Sequence, residues 1–499
     1  MGAPLFRVRP LLIPARQNRF HVNGIRNTTM SRLKVQNLPL TLLSLALATP
    51  LLLMGYDLLT GIYQPYRPRL EPHRDYPELG GEWVMHPLDN PGDWLPNGLD
   101  AADVNGDGYL DFVVNYEFRG RVRLLLHPGK QLGDQPWHAY DVGRLPDAES
   151  AAIGDLDDDG QYDVVIVTGI EHTAVPSAAF ICWGMGGPPY IWSDAAPIPA
   201  SQHGWQFLYV KLNDLDEDGD LDIVTGGRAA RPAAEGQRES AGESANWAGI
   251  RWFANPRAQG ADPRQLSQWQ MHAIDPDTPS GHGFEFGDLD NDGDLDIVNA
   301  NADWDTPEHA ENIAWYENPG PAAITQPWQM HVIYRGSEFY GKEQAVIADL
   351  DSDDLPDIVA HVEEAFYWFR NHGDPRHPTL ERIEKHPAAR WRARPVEIAD
   401  LNQDGRLDII GALIHRNGAL PSNRLAVFWM EQTDSGWTTH PIKWGDGFLG
   451  LGTFNGEKWD QLMAVDVDQD GDLDIVANVE EYNRLRSILA VVWFENPSP

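Results

Sequence analysis

Short apolar runs, each about one β-strand long, recur through residues 82–499, and a polar nine-residue loop separates two of them in every period. The loop has an acidic residue or Asn at positions 1, 3, 5 and 9 and usually Gly at position 6. It occurs seven times. The copies carry Asp103, Asn105, Asp107 and Asp111; Asp155, Asp157, Asp159 and Asp163; Asp214, Asp216, Asp218 and Asp222; Asp288, Asp290, Asp292 and Asp296; Asp349, Asp351, Asp353 and Asp357; Asp400, Asn402, Asp404 and Asp408; and Asp466, Asp468, Asp470 and Asp474. Successive copies start 51 to 74 residues apart. An apolar run follows each loop, such as Ile223-Val224 or Ile297-Val298. Next comes a strand with Trp and often Asn-Pro (Trp183, Trp252, Trp315, Trp368, Trp429, Trp493), with Leu124 in the first period. A strand of the form Trp-x-x-His follows, as at Trp83/His86, Trp269/His272, Trp328/His331 and Trp437/His440.

With the strand before the loop, each period holds four strands in about 60 residues, the pattern of a propeller blade. The expected fold is all-β: a seven-bladed β-propeller of four-stranded blades. The first Trp-x-x-His strand precedes the first loop, and the last period stops at its Trp strand. Pairing residues 82–89 with 489–496 would therefore close the ring and remove an exposed edge. The repeated Trp reads as core between blades, and the repeated His as a structural hydrogen-bonding residue.

Four oxygen-bearing side chains on alternate positions of a tight loop converge on one point. That suits a hard cation with about 6–8 oxygen ligands and tolerant geometry, hence Ca²⁺ rather than Mg²⁺. Up to seven structural Ca²⁺ ions are expected, and without cations the clustered carboxylates repel at close range. Gly at position 6 supplies the positive φ that folds the loop round the ion. Asp354 holds that place in the fifth copy, which ranks as the weakest site.

The formal charge is −37. So acidic a surface argues against nucleic-acid binding, which needs clustered Lys and Arg. The single cysteine, Cys182, excludes an internal disulfide framework and reads as a buried structural thiol. The N-terminus differs: residues 1–36 hold seven Arg or Lys and no acidic residue, and an uncharged apolar run spans Leu38 to Met54. That is the form of an export signal, or of an uncleaved anchor that tethers the chain to a membrane. The chain divides into a basic extension (1–29) ahead of Met30, a signal peptide or anchor (30–60), a linker (61–80) and the repeat body (81–499). The expected location is exported: periplasmic, cell-surface or secreted.

The D-x-D-x-D-G-x-L-D loop, the Ile-Val that follows it and the W-[FY]-E-N-P strand resemble the FG-GAP/VCBS repeat family, which includes the integrin alpha-subunit propeller. The resemblance spans residues 82–499. It implies calcium loops on the lower face of the disc and ligands on the upper face, and family members range from adhesion and carbohydrate-binding modules to some lyases and dehydratases. If each first strand runs down to its loop, the residues six before the loop lie near the upper mouth of the axis: Asn97, Glu149, Leu208, His282, Glu343, Arg394 and Asp460. Positions two and four before the loop are apolar, whereas this ring varies between blades, with Glu twice. Two functions follow. One is a binding module that takes a glycan or protein ligand on the upper face. The other is a carbohydrate-active lyase or dehydratase, with His282 or His203 as base, Arg394 or Lys342 stabilising an enolate, Glu149 or Glu343 as acid and Asp460 in the same ring.

Overall fold

In every period the position-9 aspartate of the loop is the first residue of a strand, so loop and sheet are one unit. The computed structural model describes residues 75–497, apart from 94, 134, 170–176, 229–247, 279–282, 302–311, 337–343, 416–422, 446–456 and 482–488. The chain divides into residues 1–55, which lie outside the described residues, and a second unit, residues 56–499. The described part is all-β and propeller-like, with only four short 3-10 turns besides the strands.

Five antiparallel sheets have four strands each, numbered here by their loops. Sheet 1 is Pro96–Ala102, Asp111–Tyr116, Arg121–Leu126 and His138–Arg144. Sheet 2 is Ala148–Gly154, Asp163–Thr168, Ala179–Cys182 and the two-residue Ala196–Pro197. Sheet 3 is Gln206–Asn213, Asp222–Arg228, Gly249–Ala254 and Gln270–Asp275. Sheet 4 is Phe284–Gly287, Asp296–Asn301, Asn312–Glu317 and Gln329–Arg335. Sheet 5 is Ala345–Ala348, Asp357–His361, Ala365–Arg370 and Thr379–Glu384. The sixth set (Ala393–Ala399, Asp408–His415, Leu425–Thr433, Gly436–Trp444) joins the seventh (Glu457–Val465, Asp474–Glu481, Val491–Glu495) through the pairs Ile414–Lys458 and His415–Glu457, which makes one eight-stranded sheet. Its last strand is Val84–Asp89, antiparallel to Val491–Glu495 with Val84 opposite Glu495 and Asp89 opposite Val491. The phase of the repeat predicts this pairing.

Apolar cores lie between successive sheets. Leu215, Val224 and Trp252 of sheet 3 pack with Phe284, Ile297 and Tyr316 of sheet 4. Val359, Phe366 and Trp368 of sheet 5 pack with Val396, Ile409 and Phe428 of the sixth set. Leu88, Val476 and Trp493 of the seventh set pack with Leu99, Phe112 and Trp137 of sheet 1. Interdigitation of this kind excludes water from both partners, which is the main favourable term in holding the sheets together.

The repeated Trp and His take structural places. His86 stacks on Trp493 at 4.6 Å, His331 on Trp315 at 4.6 Å and His440 on Trp429 at 4.5 Å. Each of these imidazoles also meets a carboxylate on the neighbouring strand: Glu495 at 2.8 Å, Glu317 at 2.6 Å and Glu431 at 2.7 Å. The Asn of the Asn-Pro pair locks sheets together. Asn255 Nδ2 donates to Leu156 O of the preceding loop and to Leu221 O of its own, and Asn496 Nδ2 donates likewise to Leu401 O and Leu473 O. Cys182 is buried, and burial pushes its thiol up to about 12, which leaves it inert at neutral pH.

Of the expected linker, residues 61–74 lie outside the described residues. Tyr76 stacks on Trp444 at 6.4 Å, and Leu79 enters the core between sheet 5 and the sixth set. Among the described residues no helix is long and apolar enough to cross a membrane. The apolar run 38–54, expected as signal or anchor, lies outside them.

Candidate functional site

The seven acidic loops share one hydrogen-bond plan. The position-1 carboxylate accepts from the position-6 N–H at 2.9–3.1 Å in all seven. The position-5 carboxylate accepts from the position-7 N–H at 2.8–3.2 Å. The position-9 aspartate ties the loop to the sheet, because its Oδ1 accepts from the N–H at the end of the third strand at 2.7–2.9 Å. Position 6 has φ between 67° and 104° in every copy, including Asp354 at 67°. Position 4 also lies in the left-handed region, φ 56° to 70°, although only Gly106 there is glycine. Its side chain reaches the next loop: Gln403 Nε2 donates to Gly471 O at 2.8 Å, and Gln469 Nε2 to Gly108 O at 2.7 Å. Nothing in the loop's acidic pattern signals this contact.

These loops have the donors a hard cation needs. In five of them three carboxylates present oxygens within 4.8 Å of one another: Asp155/Asp157/Asp163, Asp214/Asp216/Asp218, Asp288/Asp290/Asp296, Asp349/Asp351/Asp353 and Asp466/Asp468/Asp474. The first and sixth loops each have an Asn in place of one Asp. One oxygen of the position-3 aspartate is buried without a hydrogen-bond partner at Asp157, Asp216, Asp290 and Asp351. A buried carboxylate oxygen left bare is costly unless a cation takes it. Burial, aided by like charges nearby, pushes the position-9 carboxyls up, to about 8 at Asp222 and Asp474 and about 6 at Asp111 and Asp357. In the second loop Arg264, from the sheet-3 side, lies against Asp157 and Asp159.

At the other end of the first strands, the residue six before the loop falls at a break in pairing register. Strand pairing shifts across residues 96–99 of sheet 1, 148–150 of sheet 2, 207–209 of sheet 3, 393–396 of the sixth set and 459–461 of the seventh. Asn97, Glu149, Leu208, Arg394 and Asp460 lie within these shifts. A bulge re-aims the side chain it displaces. The structure brings Arg394 to Asp460 at 2.6 Å, with Lys458 Nζ at 3.1 Å from the same carboxylate, all three buried. Glu149, also buried, accepts from Asn97 Nδ2 at 3.2 Å and Gln206 Nε2 at 3.4 Å. His203 is exposed and lies 4.6 Å from the Trp205 ring. His282, Lys342 and Glu343 lie outside the described residues.

A second ring, three residues before each loop, also varies between blades, which the reading at position six missed: Asp100, Ala152, Lys211, Glu285, Val346, Glu397 and Met463. First strands of every sheet line one cavity of about 340 Å³, into which Asp100, Lys211, Glu285 and Glu397 face. Lys211 Nζ meets both oxygens of Glu285 at 2.6 Å. Asp100 accepts from the N–H groups of Ala101 and Ile153, each at 2.9 Å. Burial, with Glu285 beside it, pushes the Glu397 carboxyl up to about 7.

These sheets and loops define an all-β, propeller-like protein built on acidic-loop repeats. The model of the FG-GAP-like repeat family matches residues 103–166 and 349–411, the first two loops and the fifth and sixth. No curated protein matches the chain. Among solved structures, a lectin of Agrocybe aegerita that recognises non-reducing terminal N-acetylglucosamine is 16% identical, over 76% of this chain and 88% of that chain, with a TM-score of 0.46. A protein from Lactobacillus plantarum is 12% identical, over 77% of this chain and 96% of that chain, with a TM-score of 0.41. Such likeness concerns the fold alone.

Proposed function

We propose that this chain is an exported, calcium-bound seven-bladed propeller that serves as a binding module and takes a glycan or protein on the face opposite its acidic loops. The ring six before the loops, which varies between blades and falls at a register break in the five sheets where it is described, carries this reading, because a position kept only for the fold would repeat from blade to blade. Ring closure draws support from the pairing of Val84–Asp89 with Val491–Glu495 and from the core shared by the seventh set and sheet 1. The bare position-3 oxygens support calcium in the loops. Two exposed aromatics lie at the ends of strands remote from the loops: Phe118, just after the second strand of sheet 1, and Trp391, just before the first strand of the sixth set. Rings of this kind cover apolar faces of sugars or anchor protein partners.

The test presents the full-length, calcium-loaded chain to arrays of neutral and anionic glycans and follows unsaturated-product absorbance in parallel. Retention without turnover, weakened by Trp391→Ala, supports the module. Release of unsaturated product would replace it with the lyase reading, and neither retention nor turnover would leave a protein as the ligand to be captured.

A further inference from the structure

Besides the Tyr209 phenol, three carboxyls and one ammonium face the axial cavity, and they do not balance. Glu285 is satisfied by Lys211, which it holds with both oxygens. Asp100 spends its oxygens on two backbone N–H groups, one in its own strand and one in sheet 2. Glu397 has a single hydrogen bond among the described residues, a long one of 3.3 Å from Ile398 N–H. Lys211 offsets its charge only in part and at a distance, because the Lys211 ammonium is held by both oxygens of Glu285. Burial and the Glu285 charge both disfavour its ionised form, and a positive guest would relieve both.

The remaining walls say what kind of cation. A volume of about 340 Å³ is far more than one inorganic ion fills. Ile347, Ile398, Leu462 and Met463 supply apolar wall. Gln461, also in the lining, has a side-chain oxygen buried without a hydrogen-bond partner, an acceptor suited to a second N–H. Lys211 and Glu285 keep 27% and 33% of their side-chain surface open, so the cavity is reached by solvent. The positions two and four before each loop are apolar in every blade, from Leu99 and Ala101 to Leu462 and Ala464. The charged ring between them is not a feature the repeat requires.

We propose that the axial cavity binds a small organic amine, with its ammonium on Glu397 and its carbon body against the apolar wall. This site is separate from the upper-face surface and stands or falls independently of it. Benzylamine is the probe, titrated calorimetrically into the full-length, calcium-loaded chain, with benzyl alcohol as the neutral isostere. Benzylamine is expected to bind at least tenfold more tightly than the alcohol. Glu397→Gln should weaken it at least tenfold, and Met463→Lys, which places an ammonium in the cavity, should abolish binding. Both variants should keep the wild-type circular dichroism and calcium response. Equal binding of amine and alcohol, wild-type affinity in Glu397→Gln, no detectable binding, or displacement of benzylamine by millimolar Mg²⁺ would each overturn the proposal, the last by marking an inorganic-cation site.

Discussion

Asp290 concentrates the chemistry of one loop in one side chain. Its Oδ1 is buried and bare, and burial with Asp292 nearby pushes the carboxyl above its usual range. Asp290→Ala should therefore have opposite effects in two media. In calcium it should cost about 2–3 kcal/mol, the linkage value of a site held near a hundredfold above its Kd. In chelator it should be neutral or stabilising, because it removes a crowded charge. Denaturant melts in both media check this, and a cost unchanged by chelator would exclude a cation at that loop. Asp354→Gly should stabilise by about 1 kcal/mol or less, since Asp354 is held at φ 67°. Glu397 carries a pH prediction. Its carboxyl, at about 7, keeps in the folded state a proton that the unfolded chain releases near 4.5. The stability it contributes is complete below about pH 4.5 and is lost as pH rises through 7. Between pH 5 and 8, Glu397→Gln should thus gain about 2–3 kcal/mol on the wild type. Lys211, Glu285, Asp100 and Tyr209 line the same cavity. Loop positions 1, 3, 5, 6 and 9 were legible because residue type alone declares them. Position 4 was not: Gln403 and Gln469 do not announce a left-handed backbone, and their contacts lie in the next loop.

At the scale of the strand, one blade is legible as a period and its interior is not. Four strands, the Trp between sheets and the structural His follow from recurring residue types, and the stacked pairs His331–Trp315 and His440–Trp429 meet that expectation. The cavity-lining ring does not, because its meaning lies in pairs such as Lys211–Glu285, which join different sheets across 74 residues of sequence. A residue read alone three places before a loop is only a polar residue in a strand. The Asn of Asn-Pro is similar, since its value comes from a carbonyl in the preceding loop. Asn496→Ala, which leaves Leu401 O and Leu473 O without that donor, should cost about 1–3 kcal/mol in thermal or denaturant melts. Leu88→Ala, in the core between the seventh set and sheet 1, should cost about 2–5 kcal/mol. If Leu88→Ala melted like wild type, the N-terminal strand would not be holding the two ends of the repeat array together.

Over the whole molecule, charge and closure act against each other. A chain with a formal charge of −37 gathers a large part of its acid into seven loops on one side of its sheets, and self-repulsion there works against a compact state. Seven divalent cations would remove 14 of those charges where they are densest. On the proposed reading calcium would be a condition of the fold, with ligand chemistry left to the ring six before the loops, the opposite face and the axial cavity. Export would bring the chain into the millimolar calcium that weak extracellular sites use. The most direct test is the thermal unfolding midpoint of the full-length chain in calcium, in magnesium and in chelator. The account predicts a midpoint that falls in chelator by 10 °C or more, on the order expected when several linked sites are lost together, and that calcium restores and magnesium does not. A midpoint that is the same in all three would contradict it.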